Sequence, residues 1–284
     1  ILIPDGPTTT YGEFGEQIEQ TAEILAAAGV EKGRTVSIVL GNGLDFMITF
    51  LAVTRSGAIA APLNPAYTNE EFKFYMEDTE SQLVIISPEA DIARNAATEL
   101  NIPIAIANLD NNGELSISKS GSVLTERSSV IAPSEDDIAL FLHTSGTTSR
   151  PKGVPLTHGN LMASLENIVT TYTLTQDDLA MVVMPLFHVH GLIASTLSTF
   201  ASGGTVSVPP KFNVLNFLRI TEQEKFTWYT AVPSIHQTLL ARAKGRENAY
   251  RLPDLNFITT CSSSLAPPTT LGPDALSHIH LPPP

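Results

Sequence analysis

Residues 143–153 read HTSGTTSRPKG. Thr144, Ser145, Thr147, Thr148 and Ser149 place five hydroxyls in six positions around Gly146, and Arg150 and Lys152 add cations on either side of Pro151. Hydroxyls and backbone N–H groups donate to oxyanions, a glycine lets the backbone fold closely over a phosphate, and a lysine supplies a point charge. The combination describes a phosphate cradle, although a Ser/Thr-rich surface turn has the same composition. Two other phosphate loops are excluded by spacing. A Walker A loop requires a second glycine directly before its lysine, and none precedes Lys152; Gly-x-Gly-x-x-Gly is absent as well.

Three further groups could carry chemistry. His188 and His190 lie two apart in LFHVH. As a metal pair they lack an HExxH pattern or cysteine partners, so no metal site is assigned; as structural histidines they need only hydrogen-bond partners. Ser262, Ser263 and Ser264 form either a turn or a row of donors. Lys211, in PPKF, reads by itself as a solvated lysine. Trp228 and Tyr229 read as core, and His236, His278 and His280 suggest no mechanism.

The elements that must position these groups alternate in type. Thr10 and Glu13 form a capping box, Phe14, Ile18, Ala22 and Leu25 recur at helical spacing, and Gly29 ends the helix. TVSIVL (35–40) is strand-like and precedes a helix from about Leu44. AIAAPLN and NEEFKFYMEDTE repeat that order, as do LVIIS with a helix ending near Leu100. IPIAIA leads into a polar connection, Asn108 to Ser129, with the least pattern in the chain. IALFLH (138–143) then runs into the hydroxyl loop, and Thr157 can cap the helix that follows. AMVVMP, GTVSVPP, TWYTAVP and LNFITT continue the strand series, each of the first three preceding a helical stretch, GLIASTLSTFASG after the first. Strands bounded by turn residues and alternating with helices predict an α/β fold of mostly parallel sheets flanked by helices. Loops that follow such strands, 143–153 and 261–264 among them, fall where open α/β sheets bind ligands.

The bulk composition narrows the function classes. The chain of 284 residues is 43% hydrophobic and 16% charged, enough for a sizeable core. Sixteen basic against 29 acidic residues give a net charge of −13, which argues against nucleic acid or an anionic membrane as partner. ATP remains possible, because screening limits charge effects to about 8 Å and local donors dominate a site. One cysteine, Cys261, forms no internal disulfide and no cysteine metal cluster. The apolar run Phe46 to Val53 falls short of the ~20 residues of a bilayer span and reads as a core helix.

TSGTTSRPKG closely resembles the phosphate-binding signature of the adenylate-forming superfamily, the acyl-CoA synthetases, luciferases and adenylation domains, with Ser149 where most members carry glycine. AVTRSGAIAAPLNP, MPLFHVHGL and CSSSLAP resemble further segments of that superfamily. Together with TWYTAVPSIHQ they look most like oxalate:CoA ligases of the plant and fungal type, and less like 4-coumarate:CoA ligases. The resemblance implies the large N-terminal domain of the adenylate-forming fold. It also implies two half-reactions: a carboxylate attacks the α-phosphate of ATP to give an acyl-adenylate and pyrophosphate, and CoA thiol then displaces AMP. Mg2+ is expected on the phosphate oxygens. Thr144, Ser145, Gly146, Thr147, Thr148 and Lys152 would hold the β- and γ-phosphates, with Lys152 and His188 as catalytic groups. His188 would border the adenylate, His190 would face the acyl group, and Ser262, Ser263 and Ser264 would line the acyl pocket. A histidine there could pair with the second carboxylate of a small diacid such as oxalate. Lys211 matches a lysine that contacts CoA.

The superfamily's later motifs, a Tyr-Gly-Met-Thr-Glu run, a Thr-Gly-Asp and a C-terminal domain with its lysine, do not follow in this sequence. Six prolines occur in the last twenty residues. The chain is therefore expected to be an incomplete N-terminal adenylation domain, with interleaved α/β subdomains at roughly 66–177 and 1–65 with 178–265, an irregular tail at 266–284, and no turnover by itself. The alternatives are a catalytically silent product that retains phosphate affinity, and a domain that loads a carrier protein. The expected compartment is cytoplasmic or peroxisomal.

Overall fold

The computed structural model describes residues 1–144, 151–243 and 257–260. The chain divides into two compact units, Asp5–Ser164 and Ile1–Pro4 with Leu165–Pro284.

The first unit is built in the order α1 (Tyr11–Ala27), β1 (Thr35–Val39), α2 (Leu44–Arg55), β2 (Ile59–Pro62), α3 (Asn69–Asp78), β3 (Leu83–Ile86), α4 (Asp91–Glu99), β4 (Ile104–Leu109), β5 (Leu115–Lys119), β6 (Ser122–Val123), β7 (Ile138–Thr144) and β8 (Lys152–Thr157). The Thr10–Glu13 capping box starts α1 as expected, with the Glu13 backbone N–H on the Thr10 hydroxyl and the Glu13 carboxylate on the Thr10 N–H. Thr68 and Glu71 start α3 in the same way. The apolar run from Phe46 to Val53 lies in α2, where Phe46, Ile48, Ala52 and Val53 are buried. All five residues of β1 are buried, as a strand covered on both faces must be.

The eight strands form one sheet in the order β6-β5-β4-β3-β1-β2-β7-β8. β4, β3, β1, β2 and β7 run parallel, and antiparallel strands finish both edges. Both edges depart from the sequence reading. The supposedly patternless 108–129 contains the hairpin β5–β6. The turn from β4 into β5 lies there too, with Asp110 accepting from the N–H groups of Asn112 and Glu114. The Gln17 amide then ties that turn to α1, donating to Gly113 O and accepting from Leu115 N–H. Strand β8 has no counterpart in the sequence reading, which ends the loop at Gly153, because Lys152-Gly153 and Pro155 are poor strand formers. The subdomain division expected at 65/66 also differs from the units observed: β1 and β2 lie in one sheet with β3 and β7, since β1 needs parallel neighbours on both sides.

Helix α5 (His158–Tyr172) leads from one unit into the other. Thr157 caps it, accepting from Asn160 N–H while the Asn160 side chain accepts from Thr157 N–H. The second unit contains β9 (Leu179–Met181), a π-helix (His190–Leu197) continued by α6 (Ser198–Ala201), β10 (Thr205–Ser207), α7 (Val214–Glu224), β11 (Trp228–Ala231), α8 (Pro233–Ala243) and β12 (Phe257–Thr260). Its strands run parallel in the order β10-β9-β11-β12. Leu2 pairs beside β10, donating to Val206 O and accepting from Val208 N–H. Phe217, Phe226 and Tyr229 pack edge to face in the core. Fully buried His236 hydrogen-bonds the Tyr229 hydroxyl through Nδ1 at 3.1 Å. Burial holds its imidazole below the ordinary range, opposed in part by the backbone of Ala231 and Thr259.

The segment read as one helix from Gly191 thus begins with a wider π turn. Thr196 donates its hydroxyl to Gly191 O, five residues back. A Cβ on Gly191 would strike the carbonyl oxygens of Pro185 and Met184. Among the described residues no helix is long and apolar enough to cross a membrane.

Two predictions follow from this packing. Gly191→Ala should cost about 2 kcal/mol, as overpacking typically does; an unchanged Tm would show that the π turn tolerates a side chain. His236 is held neutral by the fold, while the unfolded chain protonates it below about 6.5, so its share of stability is complete above that pH and is lost as pH falls toward the lowered folded value. His236→Gln should therefore lose less Tm between pH 7 and pH 5.5 than the wild type, and equal losses would contradict this assignment.

Candidate functional site

Strand β7 delivers the hydroxyl loop at its carboxyl end. Antiparallel pairing then sets His143 opposite Gly153 and Thr144 opposite Lys152. The seven residues between Thr144 and Lys152 therefore belong to a hairpin loop closed at its base. Thr144 and Lys152 are both exposed, and among the described residues Lys152 has no ion-pair partner. Ser145, Gly146, Thr147 and Thr148 lie outside the described residues, as do Ser262, Ser263 and Ser264.

Beneath the loop is an anchor that the sequence reading did not identify. His143 Nε2 lies 2.9 Å from Asp78 Oδ2, and its ring centroid lies 4.7 Å from Tyr75 and 5.3 Å from Phe141. Gly153 leaves room for the Phe141 ring, which any Cβ there would penetrate. The available signal was a polar residue ending an apolar strand, which gives no hint of its distant partner on α3.

In the second unit the two histidines bracket the start of the π-helix. His190 N–H donates to His188 Nδ1 at 3.2 Å. His190 Nε2 lies 2.7 Å from the Thr230 hydroxyl on β11, and Thr259 on β12 donates its own hydroxyl to Thr230 at 2.6 Å. Thr230 and Thr259 are buried at 1% and 3% exposure, His190 is half-buried and His188 is more exposed. Burial lowers the basicity of His188. Burial, then the neighbouring His188 and His236, push His190 down to about 4. Both shifts favour the neutral imidazoles, which make the hydrogen bonds described above.

Thr230 and Thr259 went unrecognised because threonine in an apolar strand reads as ordinary β-propensity. Lys211 is exposed just before Asn213, which caps α7 by accepting from Leu215 and Asn216 N–H. No hydrogen bond or ion pair joins Lys211 to the histidines among the described residues. Nor do three or more His, Cys, Asp or Glu side chains converge there to hold a metal.

The chain is 46% identical over 266 residues to an oxalate–CoA ligase of Arabidopsis thaliana, covering 91% of this chain and 51% of the relative. It is 44% identical over 279 residues to a probable CoA ligase of Humulus lupulus, covering 96% and 53%. The crystal structure of ATP-bound MatB from Rhodopseudomonas palustris matches with a TM-score of 0.79 at 26% identity, over 94% of this chain and 52% of that one. The chain spans about half the length of the curated relatives it matches. Residues 1–271 match the family described as AMP-binding enzyme, with the parallel-sheet architecture that the alternating elements predicted, and the chain belongs to that family.

Proposed function

We propose that this chain forms the nucleotide- and acid-binding part of an AMP-forming acid–CoA ligase whose acid is oxalate or another small carboxylate. The observation that carries the reading is the β7–β8 register, which sets Lys152 opposite Thr144 across the hydroxyl-rich loop. The ladder brings the two ends of that loop together. An exposed ammonium at its base adds the charge that a polyphosphate needs, as a loop cation does in other phosphate sites. An ordinary Ser/Thr turn would not need, in register, a lysine that has no ion-pair partner among the described residues.

In this reading Thr144, Ser145, Gly146, Thr147, Thr148 and Lys152 hold the β- and γ-phosphates of ATP. Mg2+ would supply charge neutralisation at those phosphates, and no side chain of the chain is assigned to hold it. The acid's carboxylate oxygen bonds to the α-phosphorus as the bond to pyrophosphate breaks. The sulfur of CoA then bonds to the acyl carbon, and AMP leaves with the carboxylate oxygen. His188 borders the adenylate, His190 and Ser262, Ser263 and Ser264 meet the acyl group, and Lys211 meets CoA. A neutral, hydrogen-bonding histidine suits an acid with a second set of oxygens and offers an alkyl chain nothing. The 46% identity to a plant oxalate–CoA ligase supports the same substrate class.

Lys152→Ala should weaken MgATP binding about 10- to 100-fold, the usual size of a charged hydrogen bond. It should leave AMP binding nearly unchanged, because AMP lacks the phosphates that Lys152 meets. Equilibrium dialysis with both nucleotides checks this, and equal losses would remove Lys152 from the polyphosphate. Thioester formation by the ligase with oxalate, coumarate and octanoate in competition should favour oxalate; a preference for octanoate would refute the small-acid assignment.

A further inference from the structure

We infer that Thr259 and Thr230 are positioning residues that fix His190 as its Nδ1–H tautomer, so that this imidazole meets the acid as a neutral hydrogen-bond donor. The argument is a count of protons. A threonine hydroxyl has one proton to give and two lone pairs to accept with. Thr259 spends its proton on Thr230, so Thr230 accepts there and keeps its own proton. Thr230 is 1% exposed, and its hydroxyl has no other acceptor among the described residues than His190 Nε2, 2.7 Å away. If His190 instead carried its proton on Nε2, two donors would point at Thr230, and the Thr230 proton would be buried without a partner. Leaving a buried donor unmet costs more than a typical hydrogen bond gains. Nε2 is therefore the acceptor, and the ring proton belongs on Nδ1.

The other end of the ring agrees. Among the described residues Nδ1 of His190 has no hydrogen-bond partner, and it is not a buried unsatisfied atom, so it is open to a ligand. His188 is set the opposite way: its Nδ1 accepts the His190 backbone N–H, which leaves its proton on Nε2. Two histidines two residues apart thus carry opposite tautomers, one fixed by a backbone amide and the other by a two-threonine relay from β11 and β12. A charged His190 would place a proton on both nitrogens and break the relay. The depressed basicity of the ring supports the neutral form.

The consequence for the substrate rests on the ligase reading above. A fixed Nδ1–H needs an acceptor, which a carboxylate or carbonyl oxygen supplies. An alkyl end would leave the donor desolvated and unmet, and a site built to hydrogen-bond its substrate discriminates strongly against an analogue without the matching group. The relay thereby selects acids with oxygen beyond the reacting carboxylate.

The tautomers can be read without turnover. In the 284-residue chain labelled with 15N-histidine, long-range proton–nitrogen spectra at pH 7 should show one imidazole with a protonated Nδ1 and a bare Nε2, and that pattern should vanish in His190→Gln. Its neighbour should show the reverse pattern, lost in His188→Gln. Thr230→Val removes the proton that Thr230 offers to Nε2, and His190 should then shift toward the Nε2–H form, whereas Thr230→Ser should retain the wild-type pattern. An Nε2–H tautomer or an imidazolium at His190 in the wild type overturns the inference, as does an unchanged spectrum in a folded Thr230→Val. Should Thr230→Val fail to fold, the wild-type and Thr230→Ser spectra still decide. Failure of the chain to bind ATP would count against the ligase reading and leave the tautomer result standing.

Discussion

The pairing of β7 with β8 is the constraint on which the candidate site depends. A hydroxyl-rich segment is only a polar connection until its ends are brought together, and the antiparallel ladder does so by placing Lys152 opposite Thr144. Register is the sensitive quantity here, because a slip of one residue turns every side chain of a strand to the other face. Lys152 would then point away from the side on which Thr144 ends. Contacts both outside and within the hairpin guard this register. Asp78 on α3 holds His143 at 2.9 Å, Tyr75 and Phe141 pack on its ring, and only a glycine at 153 admits the Phe141 ring. β7 is in turn held beside β2 in the parallel part of the sheet.

The two units use opposite electrostatic regimes. Lys152 is exposed and keeps a full charge in water, where its stem can swing to meet a phosphate oxygen. The histidines of the second unit lie where burial penalises charge, and His190 and His236 are both driven toward neutrality. A neutral imidazole in such a place works through the direction of its one proton, so the hydroxyls behind it matter as much as the ring. This explains why two buried threonines, useless as ligands, bear on the chemistry of the site.

Much of this architecture was legible in the sequence, and the parts that were not share a physical character. Helices announced themselves where a capping pair was written locally, as at Thr10 and Glu13, and the buried strands where β-branched residues ran together, as in TVSIVL. The β4–β5 turn that leads into one edge of the sheet was hidden because it is held by Gln17, nearly a hundred positions away, which bonds it at Gly113 and Leu115. Strand β8 was hidden because its pairing with β7 overrides the poor propensity of Lys152, Gly153 and Pro155. The candidate site divides along the same line. Lys152 and the two histidines stand out by residue type, whereas His143 with Asp78, and Thr230 with Thr259, join residues 65 and 29 positions apart, and no local pattern marks such a pair.

The acidity of the chain raises a last question about an anion site: how a protein with net charge −13 tolerates a polyphosphate. Coulomb energy between exposed charges fades within about a Debye length, ~8 Å at physiological salt, so the total charge matters less than the groups beside the loop. Asp78 lies at the base of the hairpin, and its carboxylate is committed to His143 rather than free to repel a phosphate. The same contact therefore does two things. It fixes the strand that carries the loop, and it directs the Asp78 carboxylate toward a donor of the chain itself while Lys152 stays exposed. Replacing His143 by an apolar residue would disturb both at once, leaving β7 less firmly held and an unengaged carboxylate beneath the loop.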